Sequence, residues 1–267
     1  MSKSIEKQLD TRDLEDFKRS LSRLKGQGNL DEEYDICTSI GDLYVKTGKL
    51  HKSLEYFFSA LSIAKAMKNS DLKCDAFHSI AGILSDSSIC LWDKALMYVN
   101  FQLSECDRTS KSTGGKSLSI DSAQERFLDA ANVKANRQAA YFQQGLIYMQ
   151  RDDNLAGIFS KIYLQEAKRA FSSALSELEC FEETTEVLRM KANTFLNLAL
   201  TYERLEDTSN SELYFSNSFS VANAIQDDEA LARFYTNRGM KLLEERNFVA
   251  TEKVCQIRPH LVIFRSF

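Results

Sequence analysis

The chain contains one proline and ten glycines in 267 residues. Sheets and long irregular loops draw on both residues for their turns. Their scarcity therefore excludes a β-rich or loop-rich fold and favours helices joined by short connections. Histidine is also sparse: His51, His78 and His260 lie far apart, and none has zinc-ligand spacing to a cysteine pair. The six cysteines (Cys37, Cys74, Cys90, Cys106, Cys180 and Cys255) include no Cys-x-x-Cys pair, which reads as free, mostly buried thiols in a reducing compartment. Strong charge of one sign is missing too. A net charge of −4 with 27% charged residues offers no basic stripe for nucleic acid. No apolar run approaches the roughly 18 residues of a membrane span, and Met1–Lys7 lacks the apolar core of a secretory signal. These absences lead to the expectation of an intracellular, soluble protein with no direct nucleic-acid or membrane partner. Its length allows one or two domains and a substantial core.

Catalytic sets are lacking as well. There is no Gly-x-Ser-x-Gly elbow, and acidic residues are spread over helix surfaces, so no catalytic residue, metal ligand or cofactor is expected. Acidic runs such as Asp31-Glu32-Glu33 and Glu182-Glu183 read as solvated helix starts, favoured by the helix dipole. Gly115-Lys116-Ser117 is similar to the end of a phosphate-binding loop. The first glycine of that motif would fall on Ser110, and no apolar strand precedes it. Phosphorylation of a mobile segment is the stronger reading of this stretch.

What the chain does have is a repeat. From Ala192 to Ile225, Phe195-Leu196-Asn197-Leu198-Ala199-Leu200-Thr201-Tyr202 is followed by a polar turn at 206–210 and then by Tyr214-Phe215, Ser218-Phe219 and Ala222. Apolar residues three or four apart lie on one helical face, so this is a hairpin of two amphipathic helices. One hairpin cannot bury its own apolar faces, whereas a stack of them can. A copy near Tyr34 carries Ile40-Gly41, Tyr44, Gly48, Ser53, Phe57 and Ala60. A second, from about Cys74, carries Phe77, Ile80-Ala81, Leu84, Ala95 and Val99, with about two extra residues in its turn around Ser85 to Cys90. A third, from about Gln138, has Tyr141, Gly145, Tyr148, Ala167, Phe171 and Ala174, and is lengthened by Asn154 to Gln165. The Ala192 stretch is the fourth. A fifth, from about Ala232, has Tyr235, Gly239 and Leu242 and then weakens at Thr251 and Cys255.

This pattern resembles the tetratricopeptide repeat, with Cys37 at the usual tryptophan position and Ser53 at the first alanine. Each small residue marks a close approach of two helices, and each aromatic fills the neighbouring gap. Spacing near forty residues rather than thirty-four implies lengthened helices or connections. The expected fold is all-α: a right-handed superhelical solenoid of such hairpins. Residues 1–33 form a capping helix ending at Gly26-Gln27-Gly28 (a short coiled coil being the alternative), and 34–107 hold repeats one and two. Residues 108–124 form a flexible Ser/Lys/Gly-rich linker, 125–250 hold repeats three to five, and 251–267 are an atypical or truncated tail. If the fifth repeat is diverted at this end, Phe248, Leu261 and Ile263 are expected on exposed or poorly packed surface.

Asn197 and Asn237 recur two residues before Ala199 and Gly239, and Gln143 and Ser79 hold that position in repeats three and two. In tetratricopeptide arrays this side of the first helix lines the concave groove. An amide there can donate to and accept from an extended peptide backbone. The alternative is that these amides only tie one hairpin to the next. Arg204 and Arg233 fall near the same groove and could pair with an acidic ligand. The candidate partner-binding residues are thus Asn197, Asn237, Gln143, Arg204 and Arg233, with a protein as the partner.

Across residues 5 to 250 the chain also resembles the amino-terminal array of Tonsoku-like proteins. The matching motifs are Leu196-Asn197-Leu198-x-Leu200-x-x-Glu203-x-Leu205, Tyr214-Phe215 with Ser218 and Ala222, and Leu231-Ala232-Arg233-x-Tyr235-x-Asn237-x-Gly239. The long third hairpin, and the opening that leads to Ile40-Gly41-Asp42-Leu43, are similar too. Arg238, where leucine is usual, and the insert near Ser110 depart from the pattern. The resemblance implies a non-enzymatic nuclear scaffold, also present in cytoplasm, that acts in replication-fork repair by homologous recombination on chromatin. Histone binding by that family uses ankyrin repeats, so it would belong to a longer form. Spindle-orienting or signalling adaptors with long repeats are the alternative. A co-chaperone clamp is disfavoured by Thr38 and Asp42 at its groove positions.

Overall fold

Short joints between helices set the architecture. In this computed structural model the backbone is described for residues 2–113, 120–154, 160–244 and 246, with side chains at 13–111, 128–153, 160–241 and 246. Within those residues there are ten helices and no strand: α1 (Ser2–Leu24), α2 (Leu30–Lys46), α3 (Leu50–Met67), α4 (Ser70–Ser85), α5 (Trp92–Thr113), α6 (Ile120–Asn154), α7 (Ser160–Leu178), α8 (Thr185–Arg204), α9 (Thr208–Ala224) and α10 (Asp228–Glu244). Four joints share one geometry. Gly48, Lys68, Glu206 and Gln226 adopt left-handed φ values of 70°, 56°, 62° and 52°. Each closes its helix with a pair of reverse hydrogen bonds, such as Gly48 N to Val45 O at 2.9 Å and Lys49 N to Tyr44 O at 2.8 Å. Three of the four are not glycine. The chain thus obtains its sharp helix ends while using few glycines, at a backbone cost of about 1 kcal/mol each.

The next residue in three of these joints opens the following helix. Asn69 accepts from Asp71 N and Leu72 N, Asp207 from Asn210 N, and Asp227 from Glu229 N and Ala230 N. A side-chain oxygen at the N-cap satisfies amide groups that would otherwise lack partners. The acidic run Asp31-Glu32-Glu33 does sit in the first turn of α2, which Asn29 caps. Glu182-Glu183 instead precedes α8 in a connection capped by Thr184, and Glu183 pairs with Lys191 at 2.8 Å.

The chain divides into two compact units, Met1–Gln143 and Gln144–Phe267. In the first unit, α1 caps the array: Leu21 is buried, with Leu14, Phe17 and Leu24 beside it, against Tyr34, Ile36, Cys37 and Ile40. The α2–α3 and α4–α5 hairpins are repeats one and two. Gly41 is the point of closest approach in repeat one, where a Cβ would lie 2.8 Å from the Phe57 ring. Ser53 replaces alanine without loss because its buried hydroxyl donates to the Gly41 carbonyl at 2.8 Å. Cys37, at the tryptophan position, is 2% exposed in the core that α1 covers.

Sequence periodicity does not reveal how the first part of α6 is held. Asp71 of α4 accepts from Asn132 and Asn136, both at 3.1 Å, and Gln102 of α5 donates to the Asn136 carbonyl at 2.9 Å. Arg137 pairs with Asp107 at 2.9 Å. Across α4 and α5, Glu105 accepts from Lys73 at 3.0 Å, from Ser70 at 2.8 Å and from Arg108. The expected linker 108–124 is largely helical where it is described: 108–113 complete α5 and 120–124 begin α6, while 114–119 lie outside the described residues. Likewise the extra length of the third hairpin extends helices, with α6 reaching Asn154 and α7 starting at Ser160.

In the second unit, the last part of α6 with α7, and α8 with α9, form repeats three and four; α10 opens repeat five. Gly145 meets Phe171 as Gly41 meets Phe57, with a hypothetical Cβ 2.5 Å from the ring. Ser218 donates to the Ala192 carbonyl at 2.9 Å. Arg238 finds Glu212 of α9 at 2.7 Å, which accounts for an arginine where leucine is usual. The tail 251–267 and the expectations for Phe248, Leu261 and Ile263 lie outside the described residues.

Two outcomes follow from this packing. Gly145→Ala improves helix propensity by up to about 1 kcal/mol, yet its methyl has no room beside Phe171. Denaturant unfolding should show a net destabilisation of roughly 1–2 kcal/mol, partly recovered when Phe171 is also replaced by leucine. Glu105 gives the second. Burial alone would raise its pKa, but the hydrogen bonds from Arg108, Lys73 and Ser70 prevail and bring it from 4.5 to about 2. A depressed carboxylate stabilises the fold above its unfolded pKa and loses that contribution as pH falls towards the folded value. Stability should therefore drop between pH 4.5 and about 2. In thermal melts, Glu105→Gln should be less stable at neutral pH and lose less across that interval.

Candidate interaction surface

The recurrent polar positions of the second unit come together on α8 and α10, the first helices of repeats four and five. Asn197 is half-buried and donates through Nδ2 to the Asn193 carbonyl at 2.9 Å. Asn237, also half-buried, donates to the Arg233 carbonyl at 2.8 Å. The two side chains are thus equivalent in conformation as well as in sequence. Each bond runs back to the preceding turn of its own helix, so neither amide ties one hairpin to another. Each keeps one N–H and its Oδ1 without a described partner, the pair of groups an extended peptide backbone requires. Arg233 joins the helices by donating through Nη1 to Asn193 Oδ1 at 3.4 Å. Asn193, Asn197, Arg233 and Asn237 therefore form one patch, two residues a turn apart on each of two helices.

Asn193 is the member that sequence reasoning overlooked. Its signal was available, because Asn193 and Arg233 each lie six residues before Ala199 and Gly239. In the first unit the same two positions are Asp35 and Ser39 in repeat one, and Asp75 and Ser79 in repeat two. Ser39 bonds back to the Asp35 carbonyl at 2.8 Å, as the asparagines do in their helices. The side chains there are shorter and the companion position is acidic. The amide patch is a property of the second unit.

Gln143 does not belong with it. It is 7% exposed and donates through Nε2 to the His78 carbonyl at 3.0 Å within the first unit. It is a tie between α6 and α4, the alternative role considered for these amides. Arg204 is held by two carboxylates, Asp153 at 2.5 Å and Asp152 at 3.5 Å, the latter nearly buried. Among the described residues, Arg233 forms an ion pair with Glu229 alone, at 2.6 Å, and both side chains are more than half exposed. Such an exposed pair contributes about 0–1 kcal/mol, so a ligand carboxylate can displace it. Of the two arginines, Arg233 is the one available for exchange. Further pairs frame the patch: Arg189 with Asp227 at 2.5 Å and Lys241 with Glu203 at 2.9 Å. Hydrogen bonding from Arg189 holds the Asp227 carboxyl below its ordinary range.

Among the described residues, no three His, Cys, Asp or Glu side chains gather as metal ligands. No described helix is long and apolar enough to cross a membrane.

Residues 34–67 match a family model for the tetratricopeptide repeat. Among solved structures, the chain is similar to the crystal structure of BtubC (BKLC) from P. vanneervenii, with a TM-score of 0.59 and 18% identity over 83% of this chain and 77% of that one. At that identity the likeness is one of fold. The fold is all-α and built from tetratricopeptide-type helical hairpins. Folds of this type present surfaces for other proteins and are typically not enzymes.

Proposed function

We propose that this chain is a non-enzymatic scaffold that holds an extended segment of a partner protein along the first-helix face of repeats four and five. The observation that carries the reading is the matched pair Asn197 and Asn237, fixed by identical back-bonds to Asn193 and Arg233. Fixing the amides in advance lowers the entropy lost on binding. A backbone ligand served by two such amides needs little sequence of its own, while Arg233 selects for an acidic side chain. A clamp for a terminal carboxylate fits less well. Thr38 spends its hydroxyl on the Asp35 carbonyl at 2.9 Å, and Asp42 repels an anion.

Peptides selected from a display library against the full chain supply the probe. Asn197→Ala and Asn237→Ala each remove a hydrogen bond worth about 1 kcal/mol, or about 3 with a stranded partner. Affinity should fall roughly fivefold to a hundredfold with melting temperature unchanged, because neither amide links hairpins. Gln143→Ala should do the reverse, lowering stability and leaving affinity intact. Lost stability with unchanged affinity in the asparagine variants would overturn the reading.

The residue-level resemblance to Tonsoku-like proteins supports a narrower proposal: a nuclear, chromatin-associated scaffold in replication-fork repair by homologous recombination. Histone binding is assigned to a longer form carrying ankyrin repeats. Expressed with a fluorescent tag, the chain should concentrate at nuclear replication foci when forks are stalled by hydroxyurea. A distribution unaffected by fork stalling would defeat this proposal and leave the peptide-binding one standing.

A further inference from the structure

The second surface lies in the first unit, on the face made by the second helices of repeats one and two. Four rings run across it without a break. Phe58 of α3 lies 6.0 Å from Tyr98 of α5, Tyr98 lies 5.8 Å from Phe101, and Phe77 of α4 lies 5.8 Å from Phe101. Together with Leu61, Ser62 and Lys65 they line an open cleft of about 370 Å³. Phe77 is its buried floor, whereas Phe58 and Phe101 are 39% and 45% exposed. Met97, four residues before Phe101 on α5, is 41% exposed and extends the apolar strip. Single exposed apolar residues are ordinary, but a contiguous aromatic cleft is the form of a docking site.

Charge says what the cleft accepts. Lys65 stands on its lining and makes no ion pair with any described residue. One turn beyond Phe101 and one turn before Phe77 are Glu105 and Lys73. There the single carboxylate of Glu105 is shared by two cations, Lys73 and Arg108. Its acidity is already fully engaged. The nearby Asp71 faces α6 through Asn132 and Asn136. That end of the cleft therefore carries more cationic than anionic side chains among Lys65, Lys73, Arg108 and Glu105. Aromatic walls with the Lys65 ammonium at the rim suit a large apolar side chain that has a carboxylate near it.

We propose that this aromatic cleft docks a partner-protein segment in which a large apolar residue lies within one helical turn of an acidic one, the apolar side chain seated between Phe58, Tyr98 and Phe101 and the acid paired with Lys65. This surface is separate from the amide patch and does not depend on it.

The test uses the full chain and synthetic peptides selected by display, with the amide patch inactivated by Asn197→Ala and Asn237→Ala. Selected peptides should share a large apolar residue within one helical turn of an Asp or Glu. Phe101→Ala should weaken their binding by at least about tenfold. Lys65→Glu should weaken it by roughly fivefold and shift the selected acid to Lys or Arg. Phe58 and Phe101 are half exposed, so melting temperature should stay close to the parent value. Failure to enrich such peptides, or binding indifferent to both substitutions, would overturn the proposal. So would a self-association in sedimentation equilibrium that Phe101→Ala abolishes, because the occupant would then be a second copy of the chain.

Discussion

The absence of room between the two helices of a hairpin is the constraint on which the remaining structure depends. Where Gly41 faces Phe57 and Gly145 faces Phe171, the ring lies against bare backbone, at distances that leave no space for a methyl group. Such contact buries a whole aromatic side chain, worth roughly 1.5–3 kcal/mol, and it fixes both register and spacing of the pair. Two serines enter the same tight places by bonding a facing carbonyl, Ser53 with Gly41 and Ser218 with Ala192. Once each pair is locked this way, its outward faces have defined positions. Side chains there are set for a partner without being needed by the core.

Those features were legible in the sequence for a physical reason. Close approach demands glycine, alanine or serine at one point and an aromatic at another, and the helical period fixes their separation. The hairpins, the cap made by Leu14, Phe17, Leu21 and Leu24, and the placement of Asn197 beside Asn237 all follow from that rule. What periodicity could not convey was polar. The bonds that Asp71 accepts from α6 and that Gln102 donates to it link residues more than thirty positions apart, with no repeat to flag them. Polarity likewise misled at Gln143, which shares the register of Asn197 yet is buried as a tie. Register identifies which side of a helix a residue occupies. It does not tell what the neighbouring element has brought to that side.

The short joints illustrate the same limit. Glycine adopts a left-handed turn most readily, yet Lys68, Glu206 and Gln226 take that conformation without it. Their strain is tolerable because each joint also caps the next helix, through Asn69, Asp207 or Asp227. Two helix ends are satisfied by two consecutive residues, so the connection can be almost as short as geometry allows. Short joints in turn leave little chain with which to cover the outward faces.

Two kinds of surface result, and their chemistry differs because their helices do different work. First helices are sandwiched between neighbours, so apolar positions are largely consumed and what remains outward is polar, as with Asn193, Asn197, Arg233 and Asn237. Such a surface suits a ligand's backbone and charge. Second helices are covered on one side only, and α3 and α5 leave Phe58, Tyr98 and Phe101 at their outer edge. That surface suits apolar shape, with the Lys65 ammonium beside it. A scaffold carrying both can hold one partner by its main chain and another by a side chain. Neither contact needs the other to be occupied, because the amide patch lies wholly within the second unit and the aromatic cleft wholly within the first.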